Sequence, residues 1–280
     1  MNIINLLNYG SRELQGNNIT SYKIDSELLL ARVLRKTREE IIINSEEKVS
    51  DKKTQEFFNL INRRSKREPI AYIFKEKEFW SKKFLVDKNT LIPRPETELL
   101  VEKILKFFPN KRLNILDIGT GTGCVIISIL SELKRSKGIG IDLSQEAIKV
   151  AKLNAIKHKL TRRVIFKKKN LEDNFNKKFD LIVSNPPYIM KKDLRNLQDD
   201  IKKFEPKLAL DGGNDGLDVI KKVIYKSIKL LKINGILALE IGNGQYKQVS
   251  KILRSNNFIL KELVKDYQEN IRCIISTLKN

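Results

Sequence analysis

The segment Ser-Asn-Pro-Pro-Tyr-Ile at residues 184–189 directly follows the apolar run 179–183, which is typical of a buried strand. Because proline fixes φ and has no N–H, two prolines end such a strand and present carbonyl oxygens without competing donors. The side-chain oxygen of Asn185 and the carbonyl oxygen of Pro186 then form a pair of acceptors. That pair suits a planar NH₂ group with two protons to donate, and Tyr188 can lie against its flat face.

A glycine-rich turn, DIGTGTGCV at residues 117–125, follows another predicted strand. Gly119, Gly121 and Gly123 allow a tight turn and a close approach of the backbone to a ligand. Asp142 ends the next strand, where a carboxylate can accept hydrogen bonds from two ribose hydroxyls. This pattern fits NAD, FAD or S-adenosylmethionine, although the G-x-G-x-G spacing differs from the G-x-G-x-x-G of dinucleotide sites.

The two motifs together indicate transfer of a group to nitrogen. In open α/β sheets, ligands bind beyond the carboxyl ends of the strands, so Asn185 and the glycine turn are expected at one edge. An amide nitrogen is a poor nucleophile because its lone pair is delocalised, so it needs a strong electrophile and tight alignment. S-adenosylmethionine carries an activated methyl group on a positive sulfur. We therefore expect it as the methyl donor, with Asn185 and Pro186 as catalytic residues.

The elements that must position these residues alternate between strand and helix from residue 93 onward, which implies a mostly parallel sheet covered by helices on both faces. Two strand-like runs end the chain without a helix between them, which implies an antiparallel pair at the edge of the sheet. Strands are predicted at 113–119, 138–142, 164–168, 179–184 and 235–242, and helices at 124–134, 147–160, 216–232 and 245–255.

The first seventy residues are predicted to form short helices. The helix patterns cover 25–34 with Asp25 as N-cap, 37–43 with a Thr37–Glu40 capping box, and 50–68 ending before Pro69. Strand-like pieces follow at 72–74, 78–80 and 83–86. We expect a helical domain at 1–70, a hairpin linker at 71–92 and an α/β domain at 93–280. A helical cap and a partner-binding module both fit the first of these.

The composition is typical of a globular protein, since 41% hydrophobic and 32% charged residues allow a packed core. The chain has no long apolar run and no secretory signal, and Cys124 and Cys273 suffice for neither a disulfide framework nor a metal cluster. We expect no metal and a cytoplasmic location. The formal charge of +21 fits either a polyanionic partner or a lysine-rich composition spread along the chain.

DIGTGTG, Asp142 and NPPY together resemble the amino-methylating, S-adenosylmethionine-dependent methyltransferases, which have a seven-stranded Rossmann-like sheet. That group includes enzymes acting on adenine, on guanine in ribosomal RNA and on protein glutamine. Further segments are similar to the release factor glutamine methyltransferase family: DSELLLARVL, REPIAYIFKEKEFW, LIPRPETELLVE, FEPKLALDGGNDGLDVI and KDYQENIRC. The resemblance extends from about residue 20 to the C-terminus.

The resemblance implies methylation of the glutamine side-chain amide in the Gly-Gly-Gln motif of class I peptide chain release factors. It also implies that the N-terminal helical domain contributes to release-factor binding. The implied cofactor-binding residues are Gly119, Thr120, Gly121, Thr122, Gly123, Asp142, Asn170, Leu171 and Asn185, and the implied substrate-binding residues are Asn185, Pro186, Pro187 and Tyr188. We expect a monomer, with neither membrane attachment nor direct nucleic-acid binding.

The sequence departs from the family pattern in two places. Lys75 stands where the family usually has glycine, and Asn170 and Leu171 stand where an acid and often an aromatic residue flank the adenine. Asn170 can still accept a hydrogen bond from the adenine amine through its carbonyl oxygen.

Two other functions are compatible with parts of the sequence. A nucleic-acid methyltransferase would use the same acceptor pair, but it predicts a basic recognition domain, whereas the extra domain here contains acidic residues throughout. A noncatalytic binding protein with this fold is disfavoured by the intact glycine turn, Asp142 and Asn185.

Overall fold

The computed structural model describes residues 1–279, which form eleven α-helices, nine β-strands and two short 3-10 turns. The helices are α1 (Ile3–Gly16), α2 (Tyr22–Leu34), α3 (Arg38–Ile43), α4 (Asp51–Ser65), α5 (Ile70–Phe74), α6 (Pro95–Phe107), α7 (Cys124–Glu132), α8 (Gln145–Lys157), α9 (Asp199–Phe204), α10 (Asp218–Leu230) and α11 (Tyr246–Ser255). The strands are β1 (Glu76–Phe79), β2 (Lys82–Leu85), β3 (Asn114–Ile118), β4 (Lys137–Asp142), β5 (Val164–Lys168), β6 (Phe179–Ser184), β7 (Leu231–Glu240), β8 (Phe258–Lys265) and β9 (Ile271–Leu278).

The chain divides into two compact units, one of residues 1–75 with 198–204 and one of residues 76–197 with 205–280. The first unit is helical and has its own core, in which Leu6, Leu30 and Phe57 are fully buried. The predicted capping box is confirmed, since Thr37 and Glu40 each accept a hydrogen bond from the backbone N–H of the other.

Asp25 is not the N-cap that the sequence predicts, because α2 begins three residues earlier at Tyr22. Its carboxylate is instead buried and accepts a hydrogen bond from Arg64 Nε at 2.7 Å. Arg64 Nη1 also donates to Asp200 at 2.7 Å, which ties α9 into the first unit. A guanidinium that is only 6% exposed needs such partners, since an isolated buried charge is costly.

The predicted strand at 72–74 is wrong, because these residues form the last turn of α5. The Pro69 carbonyl accepts from the N–H groups of Tyr72 and Ile73, which closes a helical turn. The helix ends at Lys75, whose φ of 55° lies in the left-handed region. Glycine adopts that conformation without steric cost, which gives a physical reason for a glycine at this position. The hairpin of β1 and β2 follows and pairs Phe79 with Lys82.

The second unit contains the seven-stranded sheet, in the order β5-β4-β3-β6-β7-β9-β8. The first five of these strands run parallel, whereas β9 runs antiparallel to both β7 and β8. The predicted Rossmann-like fold with antiparallel pairing at one edge is therefore confirmed. Strand order reverses between β3 and β6, and such a switch point opens a crevice at the carboxyl ends of the two strands.

The parallel strands are buried on both faces. In β6, Leu181 and Val183 pack with α6, α7 and α8, whereas Ile182 packs on the opposite face with α10 and α11. Two-sided burial explains why this strand reads as a continuous apolar run rather than an alternating one. None of the helices within residues 1–279 combines the length and apolarity that a membrane span requires.

Candidate active site

A cavity of about 380 Å³ opens in the second unit at the carboxyl ends of β3, β4 and β6. Its lining contains six of the nine predicted cofactor-binding residues, together with Pro187 from the predicted substrate set; the six are Gly119, Gly121, Asp142, Asn170, Leu171 and Asn185. The topology thus brings the glycine turn, the strand-end carboxylate and the NPPY segment to one place, as the sequence indicates.

The glycine turn exposes its backbone to this cavity. Gly119 and Gly121 have φ values of 71° and 53°, and a Cβ added to either would meet no atom within 4 Å. The missing side chains therefore leave open space that a ligand can occupy next to the backbone. Gly119 N and Thr120 N both donate to the Ile141 carbonyl at 2.9 Å, which anchors the turn to β4.

Thr120, Thr122 and Gly123 belong to the same turn but do not line the cavity. Both threonine side chains are buried, and Thr120 Oγ1 donates to Asp117 at 2.6 Å. Burial raises the pKa of Asp117 to about 7, with a further contribution from the neighbouring negative charge of Asp142. Because the side chains of Thr120 and Thr122 are buried and lie outside the cavity lining, any contribution of these two threonines to ligand binding comes through their backbone.

Asp142 connects β4 to the cavity. Its Oδ2 accepts from Gly121 N and its Oδ1 from Ser144 N, both at 2.9 Å. Burial raises the pKa of this carboxyl group, while the backbone donors oppose that shift. Each carboxylate oxygen can accept another hydrogen bond, so Asp142 keeps acceptors for two hydroxyl groups. The open glycine backbone and this carboxylate fit the adenosine portion of S-adenosylmethionine.

Asn185 follows directly after β6, with its side chain half-buried at the cavity wall. Its Nδ2 donates to Thr97 Oγ1 at 3.2 Å, and no donor among residues 1–279 is paired with its Oδ1. The carbonyl oxygen of Pro186 is likewise without a donor among the described residues, although Pro186 is buried and does not line the cavity. Neither oxygen of the predicted acceptor pair is therefore paired with a donor among the described residues.

Tyr188 stands outside the cavity lining and packs on the apolar face that contains α10 and α11. Burial raises the pKa of its hydroxyl group to about 12, so the ring remains neutral. Gln245 holds this segment, because its Nε2 donates to the carbonyl oxygens of Tyr188 at 3.0 Å and Gly216 at 3.2 Å. The NPPY segment is thereby attached to the turns that precede α10 and α11.

Asn170 and Leu171 line the cavity after β5. Asn170 is exposed, and its Oδ1 accepts from Glu172 N at 3.3 Å. Leu171 is half-buried against the second face of the sheet. An apolar side chain beside a side-chain carbonyl is compatible with a planar, amine-bearing ring.

Several cavity residues were not singled out from the sequence. They come from the loop 88–91, the segment 206–211 and the first turns of α10, and include Lys88, Leu91, Leu208, Asp211, Val219 and Lys222. The sequence contains a partial indication of them, because the segments LIPRPETE and FEPKLALDGG, which include Leu91, Leu208 and Asp211, are among those that resemble the family. Thr97 and Glu240, which adjoin Asn185, were also missed as site residues.

Comparisons with known proteins match both units. Residues 5–74 match the PrmC N-terminal domain family, and residues 109–276 match a methyltransferase domain family. The fold resembles the crystal structure of ribosomal protein L11 methylase from Lactobacillus delbrueckii subsp. bulgaricus, with a TM-score of 0.52 and 19% identity over 69% of this chain and 82% of that chain.

Two curated relatives are similar over nearly the whole chain, and both are named release factor glutamine methyltransferase. The protein of Clostridium acetobutylicum is 38% identical, with 94% of each chain covered. That of Buchnera aphidicola subsp. Schizaphis graminum is 42% identical over 89% of this chain and 90% of its own. The chain therefore belongs to the release factor glutamine methyltransferase family.

Proposed function

We propose that this protein methylates the side-chain amide nitrogen of the glutamine in the Gly-Gly-Gln motif of class I peptide chain release factors. The observation that carries the proposal is the pair of unsatisfied oxygens, Asn185 Oδ1 and the Pro186 carbonyl, at the end of β6. The first borders the cavity that contains the glycine turn and Asp142. A primary amide has two N–H donors, which match two acceptors.

The residues that would hold S-adenosylmethionine are those of the open turn and the strand ends. Gly119 and Gly121 would leave room for it, Asp142 would accept hydrogen bonds from its ribose hydroxyls, and Asn170 and Leu171 would lie beside its adenine. When bound, it supplies a methyl group on a positively charged sulfur. By holding the ribose, Asp142 would orient the cofactor within the cavity that Asn185 also lines.

The protein's own contribution to the reaction is alignment. Asn185 Oδ1 and the Pro186 carbonyl accept hydrogen bonds from the two N–H groups of the substrate amide, which fixes the nitrogen and directs its lone pair along the line of attack. With S-adenosylmethionine bound, methyl transfer would form the N–C bond as the C–S bond breaks, and the nitrogen would release one proton to water. No strong base is required, since the methylated amide nitrogen is highly acidic before it loses that proton.

The N-terminal helical domain, residues 1–70, binds the release factor in this proposal, and residues 71–92 connect it to the catalytic domain. Support comes from the match of residues 5–74 to a domain family distinct from that of the methyltransferase domain. The unit also has a separate core, as a binding module requires.

The direct test is incubation of the protein with methyl-labelled S-adenosylmethionine and purified substrates. We expect label in an intact class I release factor and none in a variant whose Gly-Gly-Gln glutamine is replaced by alanine. Ribosomal RNA and DNA serve as parallel substrates. Label in either nucleic acid but not in the release factor would instead support a nucleic-acid methyltransferase.

A further inference from the structure

Glu240 ends β7 as a buried carboxyl group beside Asn185. It is 2% exposed, and its Oε2 has no hydrogen-bond partner among the described residues. The pairing of β6 with β7 aligns Ser184 with Leu239, so Asn185 and Glu240 follow that pair on adjacent strands. An unsatisfied buried carboxyl group reduces stability, and groups of this kind concentrate at functional sites.

Thr97, in the first turn of α6, connects the two residues. Asn185 Nδ2 donates to Thr97 Oγ1 at 3.2 Å, and the polar side chains of Thr97 and Asn185 lie close enough to the Glu240 carboxyl group to lower its pKa. An ionised carboxylate can only accept, and a hydroxyl group has one proton. Once Thr97 donates that proton to Glu240, it can only accept from Asn185.

We propose that Glu240, acting through Thr97, is a positioning residue that fixes the direction of the Asn185 amide, so that Oδ1 faces the substrate. The inference rests on the proposed function, since only a substrate that donates N–H needs an acceptor there. The reversed Asn185 would present its own NH₂ to the NH₂ of the substrate. Protonation of Glu240 releases the constraint, because a neutral carboxyl group can itself donate to Thr97.

The ionisation of Glu240 is set by several packed elements. Burial and, to a lesser degree, the negative charge of Glu96 raise the pKa of Glu240, whereas Arg272 and the side chains of Thr97 and Asn185 lower it, and the net result is a pKa of about 7. The titratable and charged groups around it are Glu96 on α6, Cys124 on α7, Tyr188 after β6, and Arg272 and Cys273 on β9. The ionised fraction of Glu240 therefore changes in the neutral range.

The test compares Thr97→Val with Thr97→Ser in single-turnover methylation of an intact release factor. Valine keeps the shape but removes the hydroxyl group, so the rate should fall about tenfold, as expected for one hydrogen bond. Serine keeps the hydroxyl group and should restore most of the rate. Both variants should bind S-adenosylmethionine like the wild type in calorimetry, because Thr97 does not line the cavity. Equal rates for the two folded variants would overturn the proposal.

The pH profile provides a second measurement that does not depend on Thr97. The wild-type single-turnover rate should rise with pH through a step near 7 as Glu240 ionises, and Glu240→Gln should remove that step. A wild-type rate that is flat from about pH 6 to about pH 8, or a step retained in Glu240→Gln, would contradict the proposal. Absence of release-factor methylation by the wild type would instead refute the proposed function, so the two failures are distinguishable.

Discussion

The carboxylate of Asp142 has two tasks that its geometry keeps separate. Its inner hydrogen bonds, from Gly121 N and Ser144 N, hold the glycine turn and the start of α8 to the end of β4. Its remaining acceptor capacity faces the cavity. A substitution therefore removes ligand contacts and also loosens the turn, and a test has to separate these two effects.

We predict that Asp142→Ala weakens binding of S-adenosylmethionine by about 1.5–3 kcal/mol for each ribose hydrogen bond lost. Asp142→Asn is the matched control, because it keeps a side-chain acceptor and nearly the same shape but loses the charge, and its loss should be smaller. Isothermal calorimetry gives both affinities, with thermal melts as the control for folding. Wild-type affinity in a folded Asp142→Ala protein would exclude the ribose role.

Asp117 links the site to the pH dependence of stability. Its pKa is raised from 3.8 to about 7 in the folded state, mainly by burial. The folded state therefore binds this proton more tightly than the unfolded state, and stability falls as pH rises from about 4 to about 7, then stays level. The stabilisation that protonated Asp117 gives to the folded state is therefore present at low pH and lost towards neutral pH.

Asp117→Asn should remove that dependence. Urea unfolding from about pH 5 to about pH 7 should show the wild type losing about 2–3 kcal/mol relative to the variant, and no further change above that range. The comparison cancels the opposing effect of carboxylates such as Asp266, whose pKa is lowered chiefly by its hydrogen bond with Arg272. Parallel pH profiles for the two proteins would show that Asp117 is ionised throughout.

At the scale of the elements, the parallel strands could be predicted because a strand that is buried on both faces appears in the sequence as a continuous apolar run. The glycine turn and NPPY could be placed at one edge because parallel strands share the direction of their carboxyl ends. The helical turn at residues 72–74 could not be predicted, because Tyr, Ile and Phe favour strands locally and the sequence does not show that the Pro69 carbonyl accepts two of their N–H groups.

The remaining misses depend on contacts between distant residues. The burial of Asp25 is explained by its hydrogen bond with Arg64, which lies 39 residues away along the chain. Glu240 gains its significance only where β7, α6 and the end of β6 meet, at Thr97 and Asn185. Neither periodicity nor motif spacing contains such information, because both describe neighbours along the chain.

The end of α5 offers a prediction about stability. Lys75 holds a left-handed conformation that costs an L-residue about 1–2 kcal/mol. Glycine avoids this steric cost, but the greater conformational entropy of glycine in the unfolded chain offsets part of the gain. Lys75→Gly should therefore stabilise the protein by about 1 kcal/mol. Lys75→Ala is the control, since alanine has the same steric cost and should give no comparable gain. Urea denaturation of all three proteins measures the difference, and equal gains would show that the lysine side chain, not the backbone, is responsible.

At the scale of the whole molecule, the two units are expected to divide recognition from chemistry. A chain beginning at residue 76 retains both apolar faces of the sheet and the cavity lining, so it should still bind S-adenosylmethionine. It should methylate a short Gly-Gly-Gln peptide at a rate similar to the full chain. The full chain should methylate an intact release factor faster than that peptide, and the shortened chain should not show this preference. Full activity on the intact factor would mean that residues 1–75 serve only a structural role.

The central claim is that Asn185 aligns the substrate amide through its side-chain oxygen. Asn185→Ala removes that acceptor while leaving the glycine turn and Asp142 in place, and Asn185→Asp keeps an acceptor but adds a charge that stabilises the sulfonium ground state, so its rate should also fall. Asn170→Ala is a matched control, because it truncates another asparagine that lines the same cavity.

The decisive measurement is the single-turnover rate of glutamine methylation in an intact class I release factor at saturating S-adenosylmethionine, with thermal melts for every variant. We predict that Asn185→Ala is folded and about a hundredfold slower than the wild type, whereas Asn170→Ala stays within a few-fold. A folded Asn185→Ala protein whose rate lies within a few-fold of the wild type would contradict the acceptor-pair mechanism.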